Sequence, residues 1–139
     1  MWLLLALLSA VFAALVAIFG KIGLKNVDST LATTMRALVM FVFLFVVTLS
    51  TGQLGGLGTI NNRALKFIIF SGIAGALSWI FYFAALKLGR TGQVASIDRL
   101  SLIFTIILAA LFLGEKLTIA SVVGALLMIA GALLITLAK

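Results

Sequence analysis

Residues 119–138, IASVVGALLMIAGALLITLA, decide how this chain is read. No charged side chain interrupts them, and at ~1.5 Å of rise per residue ~20 helical residues cross a hydrocarbon core of ~30 Å. Stretches of the same length and character run at 3–20, 31–49, 64–86 and 94–113. Arg36 lies inside the second of these, and Asp98 and Arg99 lie near the start of the fourth. Five such crossings in 139 residues leave little chain for a soluble domain. The expected fold is all-α: one polytopic membrane domain over residues 1–139, a bundle of five transmembrane helices.

Composition agrees. Hydrophobic residues make up 65% of the chain and charged residues 9%, against ~45–50% and ~25% in an ordinary soluble domain. A transmembrane β-barrel would alternate apolar and polar residues, whereas these runs are continuous. The first run has no basic residue before it, and Lys21 and Lys25 follow it, so a retained helix is expected rather than a cleaved signal. The net charge of +7 sits mostly on residues flanking the spans. There it contacts lipid headgroups and sets orientation, so the partner is a bilayer and not nucleic acid.

Chemistry is narrowly bounded. The chain has no Cys and no His, which removes thiol catalysis, disulfides, imidazole acid–base work and Cys/His metal sites. Its acids are Asp28, Asp98 and Glu115, and no phosphate-binding loop or nucleophile elbow is present. Neither an enzyme nor a cofactor is expected.

Short turns join the spans, except for residues 50–63, a longer glycine-rich loop able to move. Gly89 and Gly114 stand where left-handed helix caps are expected, and Thr118 is placed to cap the fifth span. With an odd number of crossings the termini lie on opposite sides. One side carries Lys21, Lys25, Lys87, Arg90 and Lys139, the other Arg63, Lys66 and Lys116. This bias favours the C-terminus in the cytoplasm and is small enough to permit insertion in both orientations. With no proline in the chain, any break within a span must come from Gly or Ser.

Small residues form seams along the spans. Ala6, Ala10, Ala13, Ala17 and Gly20 recur on the first, Ser71, Gly72, Gly75 and Ser78 on the third, and Gly124, Gly131 and Ala138 on the fifth. Such seams let helices approach closely in lipid. The fifth-span seam packs either within the chain or against a second copy, and Gly124 and Gly131 are the candidate dimer contacts.

The candidate substrate-binding residues are Lys21, Arg36, Trp79, Tyr82, Asp98 and Arg99, which helix lengths place at one depth near one membrane face. Charges within spans are costly and mark pathways or partner pairs. Each has a plainer reading: Arg36 and Lys21 can snorkel to the interface, and Trp79 and Tyr82 can form an aromatic belt. A short acid cannot snorkel far, so Asp98 needs a partner, with Arg36 the natural candidate for a structural or a substrate-linked bridge.

These residues carry a resemblance. Ser71, Ser78-Trp79, Tyr82, Ala85-Leu86, Gly89, the run 94–101 VASIDRLS and the turn 113–115 LGE resemble the single-domain EamA-like proteins of the drug/metabolite transporter superfamily. Lys21, Gly23, Asp28, Ala32-Thr33 and Arg36 fit as well. Relatives tend to carry proline two residues before the acid, where this chain has Ser96. The resemblance implies a five-helix unit matching one half of ten-helix, inverted-repeat members, and export or exchange of small metabolites.

The resulting expectation is a secondary transporter, exporter or exchanger, in a prokaryotic plasma membrane. Lys21, Arg36 and Arg99 outnumber Asp98 around the site, favouring an anionic or zwitterionic metabolite. Two oppositely inserted copies would recreate an inverted repeat, so a homodimer is expected, antiparallel rather than parallel. The alternative is a non-transporting membrane scaffold or assembly partner.

Overall fold

The computed structural model describes residues 1–138, so Lys139 lies outside it, and every regular element among them is helical. The helices are α1 (Trp2–Gly23), α2 (Ser29–Ser50), α3 (Asn62–Leu88), α4 (Thr91–Asp98), α5 (Ser101–Leu113) and α6 (Ile119–Leu137). With α4 and α5 taken together as Thr91–Leu113, they supply 5 segments long and apolar enough to cross a membrane. The protein is therefore an integral, multi-pass membrane protein. Helix closes every backbone hydrogen bond within its own segment, which is what a lipid environment demands.

Local chemistry sets the helix ends. Asp28 stands in extended backbone ahead of α2 and accepts from the N–H groups of Thr30 (2.9 Å) and Leu31 (3.0 Å). Thr118 caps α6, accepting from Ser121 N–H, while Ser121 Oγ accepts from Thr118 N–H, a reciprocal capping box. Gly114 ends α5 at φ 69°, the left-handed conformation that glycine adopts without a Cβ clash. The 50–63 loop is less open than its glycine content implies: Gln53–Thr59 winds into a 3₁₀ segment entered through Gly52 at φ 68°.

The fourth span is interrupted. Between α4 and α5, Leu100 N–H bonds to Ile97 O and Leu102 N–H to Arg99 O, while Arg99 and Leu100 hold ψ near −15° (−14° and −16°). These are i→i−3 bonds, a short 3₁₀ passage of the kind that marks a hinge or functional site. No proline is needed. The passage follows Ser96, whose Oγ donates to Gly92 O at 2.7 Å, and a back-bonding hydroxyl of this kind bends a helix.

The chain divides into two compact units. One runs Gly20–Lys87 and holds the last turn of α1, α2, the 3₁₀ segment and α3. In it Lys21 Nζ donates to Leu86 O, and Lys87 Nζ donates to Val27 O at 3.0 Å. Lys21 thus satisfies a carbonyl in the last turn of α3, where partners are short and the helix dipole favours positive charge, while Lys87 ties the end of α3 to the connection between α1 and α2. Leu24 and Leu86 are fully buried beside these ties. The other unit comprises Met1–Phe19 and the chain from Leu88 onward. Its main packing is α4 on α6, fastened where Gln93 Nε2 donates to Thr136 O at 2.9 Å.

The capping hydrogen bonds from Leu31 and Thr30 hold the Asp28 carboxyl below the usual aspartate range, with Lys87 adding a weaker electrostatic pull. A depressed folded-state pKa stabilises the fold above the unfolded pKa, and that contribution is lost as pH falls through the folded value. The protection of the Thr30 and Leu31 amides, measured against their intrinsic exchange rates, should therefore fall on acidification through that window. Asp28→Asn, which keeps an acceptor without a titrating proton, should flatten the pH dependence, and Asp28→Ala should fray the first turn of α2 at every pH.

Candidate functional site

Thr33, Arg36, Ala37, Met40, Phe41 and Leu44 recur along α2 at the three- and four-residue steps that place side chains on one helix face. Gly72, Gly75, Ala76, Trp79 and Ile80 do the same on α3. Together with Thr34, these two stripes line a groove of about 510 Å³ within the Gly20–Lys87 unit. No part of the chain packs on Gly72 or Gly75, because a Cβ built on either meets nothing within 4 Å. On α3 the small residues make space.

Arg36 stands at one end of the groove. Its guanidinium carbon lies 3.6 Å from the centroid of the Trp79 ring and 5.7 Å from that of Phe83. Trp79 meets Tyr82 edge-on at 5.5 Å, and Phe83 lies 5.5 Å from Trp79 and 6.1 Å from Tyr82. Arg36 begins ~10 Å inside α2, counting from Ser29 at 1.5 Å per residue. There a guanidinium costs up to ~2.5–3.5 kcal/mol in a spanning helix. A desolvated cation–π contact offsets up to ~2 kcal/mol of that. Within this unit the only carboxylate is Asp28, which is engaged as the α2 cap.

The aromatic platform is held from α1. Phe83 is 3% exposed, and a Cβ built on Gly20 would collide with its ring. The α1 backbone therefore approaches Phe83 as closely as only glycine permits.

Of the expected site residues, Arg36, Trp79 and Tyr82 form one cluster, and Lys21 binds the Leu86 carbonyl in the same unit. Asp98 and Arg99 belong to the other unit, exposed where the fourth span is interrupted. Gly124 and Gly131 on α6 present open space, with nothing within 4 Å of a built Cβ. Among the described residues no three His, Cys, Asp or Glu side chains gather as metal ligands would. Phe83 and the groove were not anticipated from the sequence. Their signal was present: Phe83 lies four residues after Trp79, and both groove stripes keep helical spacing.

The family model for EamA-like transporters matches residues 1–137. A protein from a Sinorhizobium species, named "uncharacterized transporter in cobO 3′ region", is 42% identical over 134 residues, spanning 96% of this chain and 95% of its own. No solved structure matches the chain.

Gly20→Ala should destabilise the protein by ~1–3 kcal/mol, as overpacking of a filled site does. Phe83→Leu in the same chain should recover part of that loss. Unfolding in mild detergent, followed by loss of helical circular dichroism, checks both. A Gly20→Ala variant as stable as the parent would show that Phe83 is not fixed against α1.

Proposed function

We propose, because the chain belongs to the EamA-like transporter family, that this transporter moves a small anionic or zwitterionic metabolite as a secondary exporter or exchanger. The observation that carries the substrate's sign is Arg36 on the Trp79 ring at the end of an open groove. Aromatic support spends one face of the guanidinium and leaves its in-plane N–H donors to receive a carboxylate or phosphate. With no nucleotide-binding motif in the sequence, the driving force is a gradient or counter-substrate.

Asp98 is the acid inside a span, and it adjoins the 3₁₀ passage that loosens the fourth span. We assign it the exchangeable proton. Arg99, exposed beside it, attracts anions to the same region.

The assembly is a homodimer, antiparallel in preference to parallel, in a prokaryotic plasma membrane. The open seam at Gly124 and Gly131 supports this, since small residues give helices in lipid their closest approach. The exposure of Asp98 and Arg99 supports it too, because charges at membrane depth require cover from protein or water.

Counterflow in proteoliposomes tests the reading. Arg36→Gln should lower transport efficiency ~10- to 100-fold, the loss expected when a charge-assisted hydrogen bond worth ~1.5–3 kcal/mol is removed. Asp98→Asn should preserve substrate binding and abolish the dependence of flux on a pH gradient. Replacing both by apolar residues without loss of flux would contradict the assignment, and no flux of any solute would favour a scaffold. Separately, leucine at both Gly124 and Gly131 should weaken dimerisation in bilayers.

A further inference from the structure

The groove between α2 and α3 is amphipathic along its length. At one end stand Arg36 and Trp79, and ~12 Å further along α2, eight residues at 1.5 Å each, stands Leu44. Polar capacity in the groove is small. Thr33 and Thr34 each commit their hydroxyl proton to a backbone carbonyl, to Ser29 O at 2.7 Å and Thr30 O at 2.9 Å. What remains is one cationic fork at one end and an apolar trough floored by Gly72 and Gly75.

We infer that this groove takes an amphipathic organic monoanion: a carboxylate on Arg36 and an apolar aromatic or branched body lying over Gly72 and Gly75. The inference rests on the substrate site proposed above and narrows its class. A sugar phosphate or polyol would bring several hydroxyls into a trough without matching partners, and each buried unsatisfied group is costly. A zwitterion fits poorly for a related reason, since no carboxylate lines the groove to receive its ammonium. The volume of about 510 Å³ leaves ample room for a body of one ring or a short branched chain. The occupant comes from water rather than from the bilayer. Arg36 lies ~10 Å inside its helix, and a lipid phosphate would have to leave the headgroup layer to reach it.

The test uses the full chain in phosphatidylcholine nanodiscs, with Trp2→Phe so that Trp79 is the sole tryptophan. Hydrocinnamate should shift Trp79 emission saturably. Free phenylalanine, which adds an ammonium, and phenylpropylamine, which lacks the carboxylate, should bind at least ~10-fold more weakly, the ratio that ~1.4 kcal/mol represents. Arg36→Gln should weaken hydrocinnamate ~10- to 100-fold, Arg36→Lys less so, and Gly75→Leu, which fills the trough, at least ~10-fold. Circular dichroism and size-exclusion profiles confirm that each variant is folded. Equal affinity for the amine or the amino acid would overturn the inference, as would binding that ignores both Arg36→Gln and Gly75→Leu. A Trp79 response to phosphatidylglycerol in place of phosphatidylcholine, without any added acid, would assign the groove to lipid and overturn it too. The two readings fail separately. Hydrocinnamate binding without counterflow of any solute sinks transport and keeps the ligand class; counterflow of another solute with Trp79 silent does the reverse.

Discussion

A guanidinium placed inside a membrane-spanning helix must be accommodated, and in this protein it is accommodated by a tryptophan face. The 3.6 Å approach of Arg36 to the Trp79 ring replaces part of the hydration that the cation forgoes. An ion pair would have consumed the donors as well as the charge. Aromatic stacking leaves the donors free while lowering the cost of keeping them there, the combination that the proposed anion site requires.

Much of the surrounding structure keeps this contact in place. Tyr82 and Phe83 brace the indole, Phe83 is wedged against the backbone at Gly20, and Lys21 and Lys87 tie the adjoining helix ends through backbone carbonyls. Gly72 and Gly75 withhold side chains where the groove opens beside the arginine. In lipid, where apolar burial gives little between helices, such close contacts and polar ties set the arrangement. The glycines thus have opposite uses: Gly20 lets a ring approach, and Gly72 and Gly75 keep a space.

The helical segments were legible because lipid permits few alternatives. A run of ~20 apolar residues without charge reads as a spanning helix whatever surrounds it, and the caps at Thr118 and Gly114 followed from local chemistry. The grouping of Arg36 with Trp79 and Tyr82 was legible from depth, because helix rise converts sequence position into level. The contact itself was not. Depth says nothing of rotation about the helix axis, so the ring on which the arginine lies could not be read from sequence position. The interruption at Arg99–Leu100 was obscured for another reason. Without proline a break depends on a balance of i→i−3 and i→i−4 hydrogen bonds, and that balance is set by geometry and not by one residue type. Phe83 and the groove were hidden among many other apolar residues; spacing marked them, but identity did not.

The central claim is that Arg36, supported by Trp79, is the group that receives the substrate's anion. Solid-state NMR on bilayer-embedded protein addresses it without relying on flux or on an optical signal. With ¹⁵N-labelled arginine and a ¹³C-carboxylate acid, dipolar recoupling reports which guanidinium lies within hydrogen-bonding reach of the bound carboxylate. The account predicts coupling to the Arg36 side chain, identified by its loss in Arg36→Lys. Coupling to Arg99 instead, or a bound acid whose carboxylate couples to no arginine, would contradict it.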